Sequence, residues 1–297
     1  MLAQQLLNGV VVGAVYALFA LGFTLVFGVN RIMNMAHGSV LTCGAFAGLF
    51  CVTAFDAPLP LALIAAAVVG GLVSVLMDVL VFRRLRAQHN AEFTTIVASM
   101  GIDLILLSIA QKASNTQVLR FPQDTFPVVI FTVMGLRIQL LQLLIVLASL
   151  VLVALLLLYL YRTSFGLQVR SVAFSGETSK LFGIAPNGVH FQVFFVSGAL
   201  AGIAGVLVGL AFNSVHFMMG ESLLLRAFVV IILGGLGSIS GTLVAAMLIG
   251  IVQTLSVAYV STGVADAIVF ATLFAVLVVR PTGLLGDGAG ALRVARQ

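Results

Sequence analysis

Apolar runs of about 18 or more residues recur from one end of this 297-residue sequence to the other. No other feature constrains the fold as strongly. Each run is long enough, as a helix rising about 1.5 Å per residue, to cross about 30 Å of hydrocarbon. In hydrocarbon every backbone N–H and C=O must find its partner inside the segment, so the runs are helices. Charged residues make up 8% of the chain, against about 25% in soluble domains, which excludes a soluble protein. The expected fold is all-α: a polytopic helical membrane protein with about eight or nine transmembrane segments, some broken or re-entrant.

The hydrophobic segments read as Leu6 to Phe27, Ser39 to Phe55, Leu61 to Phe82, Glu92 to Ala110, Ile138 to Tyr161, Val189 to Phe212, Leu223 to Leu233, Thr242 to Val260 and Ala265 to Arg280. The first lacks a basic leader and runs past the length of a signal-peptide core, so it reads as a span. Gly28 to Gly38 carries Asn30, Arg31, Asn34 and His37 between two spans with no room for a loop. It reads as a broken helix or a tight turn. Gly234 to Gly241 is a second, glycine-rich break. A break beside a short segment in each half hints at an internal repeat, although no residue-level self-similarity establishes one.

Ten of the 14 Lys and Arg residues fall in four places: Arg31; Arg83, Arg84 and Arg86; Arg162, Arg170 and Lys180; and Arg280, Arg293 and Arg296. Counting spans puts all four on one side, which the positive-inside rule makes cytoplasmic. The basic residues are not interleaved with aromatics, so nucleic acid is not an expected partner. Cys43 and Cys51 lie eight residues apart in one run, about 12 Å along a helix, too far for a disulfide.

The longest polar interruption is Arg162 to Asn187, with Arg170, Glu177 and Lys180. Ser175 and Gly176 can start a short helix, the Ser hydroxyl accepting from a first-turn amide. Glu177 favours the positive end of that helix. Gly183, with Pro186 beyond it, is its stop. Taken alone, the stretch also fits an ordinary basic cytoplasmic loop. A polar helix between two spans has no core of its own to complete, which points to a partner in the water.

Arg170-Ser-Val-Ala173, Glu177 and Leu181-Phe-Gly183-Ile184 together resemble the cytoplasmic coupling loop of ABC importer permeases. The match is to the smaller permease of branched-chain amino-acid importers and their urea and amide relatives. Ser175-Gly176 stands where that family commonly has Asp-Pro. Arg31-Ile-Met-Asn-Met-Ala-His-Gly38 is similar to a second family segment, with Met35 in place of Phe and Ser39 where Glu is usual. Leu233 to Ile239 and Arg280-Pro-Thr-Gly-Leu-Leu-Gly286 resemble two more.

The resemblance implies one permease domain over residues 1–297 with a coupling loop at about 162–187. ATPase coupling would fall to Arg170, Glu177, Leu181, Phe182, Gly183 and Ile184. The implied partners are cytoplasmic ABC ATPase subunits, a second related permease, an extracytoplasmic solute-binding protein and membrane lipid. The implied location is a bacterial inner membrane.

Charges inside spans are costly and usually mark a path or a partner. Asp103 has apolar residues on both sides. Asp78 fits a pair with Arg83 or snorkelling near the cytoplasmic end, and Arg226 fits either a pair with Glu221 or a solute contact. With Asn34, His37, Gly235, Gly237 and Ser238, Asp103 and Arg226 make up the candidate translocation path, the glycine break offering backbone groups to a polar solute. Plain helix packing is the alternative for the glycines.

Gly235-x-Gly237-x-x-x-Gly241 lacks the spacing and the acidic residue of a dinucleotide fingerprint. There is no Walker lysine, metal-binding set or nucleophile motif. The chain reads as a transport subunit, not an enzyme, without cofactor or metal. Rival readings are a proton- or ion-coupled carrier titrating Asp103 or His37, and a passive channel for a small neutral solute such as urea.

Overall fold

The computed structural model describes residues 1–86, 91–122, 125–127, 129–133 and 135–286. Arg293 and Arg296 lie outside the described residues. Twelve α-helices run in chain order: α1 (Leu2–Asn30), α2 (His37–Phe55), α3 (Leu59–Met77), α4 (Arg83–Leu85), α5 (Ala91–Ala113), α6 (Leu140–Arg162), α7 (Ser164–Phe174), α8 (Gly176–Leu181), α9 (Pro186–Phe212), α10 (Met219–Gly234), α11 (Ile239–Tyr259) and α12 (Thr262–Val279). A π-helical turn, Asp78–Phe82, joins α3 to α4, so the third span runs unbroken from Leu59 to Leu85. An antiparallel hairpin, β1 (Ile130–Val133) and β2 (Leu136–Gln139), precedes α6. Its short β-favouring runs, Ile130–Val133 and Leu136–Gln139, flank the turn at Gly135, a pairing not among the expectations from the sequence.

Among the described residues, eight helices are long and apolar enough to cross a membrane: α1, α2, α3 with its extension, α5, α6, α9, α11 and α12. Helix α10, with 16 residues, spans only about 24 Å. It is the seventh of the nine hydrophobic segments in chain order, entered through a non-helical stretch at 213–218. Within that stretch Val215 exchanges both backbone hydrogen bonds with Leu119, each 2.9 Å.

Helices α1 and α9 are the centre of the bundle, with 83% and 78% of their apolar windows buried, whereas α5 and α12 are peripheral at 17% each. Small residues let the central helices approach their neighbours closely. Gly13 of α1 meets Gly250 of α11, and Gly198 and Gly202 of α9 meet Gly70 and Ala66 of α3. Helices α1 and α9 join directly where Ser197 Oγ donates to the Gly22 carbonyl at 2.7 Å.

The two halves share a local turn pattern, although not at the glycine run. After α1 the chain turns at Arg31 in the left-handed region (φ 52°), and after α9 it does so at Asn213 (φ 44°). Both turns lead into a short non-helical stretch and a new helix. His37 N donates to Asn34 O at 3.2 Å, and Met219 N donates to His216 O at 3.1 Å. Gly38 follows Arg31 at the same spacing as Gly220 follows Asn213. Helix α1 runs toward the basic end of the bundle and α9 away from it, so the second copy is inverted. The counterpart of 30–38 is therefore 213–220, and the glycine run 234–241 is a separate turn between α10 and α11.

Candidate functional site

The polar interruption at 162–187 folds as two helices where the sequence pointed to one. Thr163 Oγ1 accepts from Gly166 N at 3.0 Å and caps α7. Helix α7 buries Gly166, Val169 and Val172 and leaves Leu167, Arg170 and Phe174 exposed. Arg170 lies with its guanidinium 5.3 Å from the Tyr161 ring centroid. Ser175 then caps α8, its hydroxyl accepting from Thr178 N at 3.2 Å.

Helix α8 ends in a Schellman closure. Gly183 N donates to Lys180 O at 3.0 Å and Ile184 N to Ser179 O at 3.1 Å. This closure holds Gly183 at φ 76°, a conformation that favours glycine. Ser179 is buried beneath α8, and Ile184 packs against the core. The outward face carries Leu181 and Phe182, 84% and 79% exposed. Glu177 and Lys180 pair across it at 3.2 Å with both side chains largely in solvent. The result is a short, doubly capped helix showing two large apolar side chains to water, beside a charged pair worth little by itself.

The candidate path residues occupy four different places. Asn34 and His37 are buried, each 1% exposed, in the first interruption. The His37 ring stacks on Phe19 at 4.8 Å and meets Phe23 edge-on at 5.6 Å. Asn34 Oδ1 accepts from Ala36 N at 3.1 Å. Asn34 Nδ2 and His37 Nε2 have no partner among the described residues. Both residues thus lie inside this chain, in its packed interior.

Gly235, Gly237 and Ser238 form the turn between α10 and α11, where Ser238 Oγ accepts from Gly241 N at 3.2 Å and caps α11. The Arg280–Gly286 segment closes over this turn: Leu284 N donates to Leu233 O at 2.7 Å and Leu285 N to Gly234 O at 3.2 Å. Gly28 at the end of α1 lies beside Gly237, so the ends of α1 and α10 meet at the basic end.

Asp103 sits in the middle of the α5 span, half-buried at the seam with α2. Its Oδ1 accepts from Ser39 Oγ at 2.6 Å. Arg226 of α10 pairs with Asp266 of α12, Nε to Oδ1 at 3.0 Å, and donates from Nη1 to Tyr16 Oη at 3.3 Å. Tyr16 also bonds Gln253 of α11.

Two expected pairs are therefore corrected. Arg226 faces across the bundle to Asp266 rather than along its own helix to Glu221. Asp78 pairs with Arg86 at 2.6 Å rather than Arg83, because the π-helical turn shifts the angular spacing on that face. Asp266, Tyr16 and Gln253 are the residues that sequence reasoning missed. Asp266 carried the same signal as Asp103, a carboxylate inside an apolar run. Among the described contacts, none joins Asp103 to Arg226.

Comparison with known proteins follows the same line. Residues 5–277 match the family model described as "Branched-chain amino acid transport system / permease component". The chain is 28% identical to the high-affinity branched-chain amino acid transport system permease protein LivH of Escherichia coli, over 95% of each chain. It is 27% identical to the permease protein BraD of Pseudomonas aeruginosa, again over 95% of each. Among solved structures, an ABC transporter of metal-chelate type in an inward-facing conformation shares the fold, with a TM-score of 0.51 and 18% identity over 94% of this chain and 85% of that one. The chain is a multi-pass membrane protein with a transport fold, and it belongs to the permease component family of branched-chain amino acid transport systems.

Proposed function

We propose that residues 1–297 form one permease domain of an ATP-driven importer for branched-chain amino acids or a related small polar solute, in a bacterial inner membrane. ATP hydrolysis falls to separate cytoplasmic ABC ATPase subunits. A second related permease completes the membrane unit, and an extracytoplasmic binding protein delivers the solute. The observation that carries this reading is α8. Its caps hold it rigid, Ser179 and Ile184 anchor it to the bundle, and Leu181 and Phe182 point away from it into water. Such a helix suits a cleft on another protein, and a gradient-driven carrier has no use for it.

In this reading Leu181 and Phe182 fill the ATPase cleft, and Arg170 and Glu177 flank it. Gly183 and Ile184 pass the motion to α9, which is continuous with the centre of the bundle. Asn34, His37, Asp103, Arg226, Gly235, Gly237 and Ser238 belong to the elements that move or line the path. The buried members, Asn34 and His37, act on the shape of the interrupted helices and not by touching solute.

The test is reconstitution of this chain with candidate ATPase, permease and binding-protein partners. Uptake is expected to require the ATPase and to survive collapse of the proton gradient while ATP is maintained. Uptake by this chain alone, driven by a pH step, overturns the proposal.

A further inference from the structure

Among the described residues, three carboxylates lie inside the eight candidate spans, and they are treated differently. Asp78 has Arg86 at 2.6 Å and Asp266 has Arg226 at 3.0 Å. Asp103, in the middle of its span, has only the Ser39 hydroxyl, at 2.6 Å, and no cation among the described residues. It is also half-exposed, on the edge of a helix whose neighbouring outward residues Val97, Met100, Leu104 and Ile105 are apolar and open.

A carboxylate left facing lipid at this depth is costly, and such groups mark paths or partners. Ser39 donates to one oxygen and fixes the carboxylate's orientation from the neighbouring helix. The remaining lone pairs accept only. We infer that the Ser39–Asp103 pair is a cation-recognition point on the translocation path, taking the ammonium group of an amino-acid solute. The inference rests on the importer reading above.

A primary ammonium fits this point better than a metal ion does. It offers three N–H donors and needs no complete coordination shell, whereas a bound metal needs several ligands. No group of three or more His, Cys, Asp or Glu among the described residues is arranged to hold a metal.

The experiment places a thiol at Leu107, one helical turn from Asp103, in a chain with Cys43→Ser and Cys51→Ser, within the complete reconstituted importer. Modification rates are compared for a trimethylammonium-bearing and a sulfonate-bearing methanethiosulfonate of similar size. The cationic reagent is expected to gain at least about tenfold over its intrinsic rate advantage from the nearby carboxylate, and Asp103→Asn should remove that gain. L-leucine should slow the cationic reagent, whereas the hydroxy acid with the same side chain, lacking the ammonium group, should not.

An unchanged reagent preference in Asp103→Asn overturns the inference, as does equal protection by the two solutes. Loss of association with the second permease in Asp103→Asn also overturns it, assigning Asp103 to a cation of that partner. If the thiol results hold but uptake needs no ATPase, the importer reading falls and the cation point stands.

Discussion

Gly38 and Gly220 meet backbone to backbone inside the bundle, each placed so that a side chain on it would occupy the carbonyl of the other. They begin the two interrupted helices, α2 and α10, and Thr42 ties them together. Its Oγ1 donates to Gly38 O and accepts from Gly220 N, both at 3.2 Å. The two inverted halves are therefore joined at the starts of their broken segments. Relative movement of α2 and α10 would have to pass through this contact.

Gly220→Ala should be destabilising, because the added methyl meets backbone that cannot swing aside. Overpacking of this kind costs about 1–3 kcal/mol, measurable as a lower unfolding temperature in detergent. Gly101→Ala is the control: nothing lies within 4 Å of its Cβ position, and removing a helix-interior glycine should be neutral or slightly stabilising.

Arg226 and Asp266 should be energetically coupled. A double-mutant cycle with Arg226→Gln and Asp266→Asn is expected to give about 0.6 kcal/mol and at most about 1.7 kcal/mol, the average and the maximum for hydrogen bonds between membrane helices. Arg226→Gln should cost more than Asp266→Asn, since Arg226 also serves Tyr16 while Asp266 is half-exposed. Additive single effects on stability would show that the pair does not hold α10 to α12.

Orientation has a direct check. In a chain without Cys43 and Cys51, single cysteines at Arg84 and Glu177 should be shielded in intact cells from a membrane-impermeant thiol reagent. One at Val118, an exposed residue, should be labelled. Labelling of the first two would reverse the assignment of the basic end to the cytoplasm.

At α8 the sign of charge should matter. Glu177→Lys places a cation at the positive end of the helix, at a local cost of about 0.3–1 kcal/mol, and sets it beside Lys180. The variant should insert normally but bind an ATPase partner less well, as read by co-purification.

Much of this was legible in the sequence, because in hydrocarbon a long apolar run has few alternatives to a helix. The ends of α8 were equally readable, since Ser175 and Gly183 act through local backbone geometry. The pairs were not. Whether Asp78 reaches Arg83 or Arg86 depends on a π-helical turn that no residue announces, and Asp266 meets Arg226 only after α12 has packed against α10. The likeness of the turns at 31–38 and 213–220 was hidden because they share a backbone conformation and a glycine rather than a run of residues. Helix α7 was missed for a similar reason: its buried face, Gly166, Val169 and Val172, becomes recognisable only once α6 is beside it.

The central claim is that α8 docks a separate ATPase, and the most direct measurement compares Leu181→Asp/Phe182→Asp and Gly183→Val with the unaltered chain. The first removes the exposed apolar pair without touching the core. The second forces a branched side chain into a left-handed position, at about 1–2 kcal/mol. Both variants should reach the membrane folded, yet recover at least tenfold less ATPase on purification, a loss of about 1.4 kcal/mol in binding. Any complex that still forms should hydrolyse ATP without uptake. Normal ATPase recovery together with normal ATP-driven uptake in both variants would contradict the account.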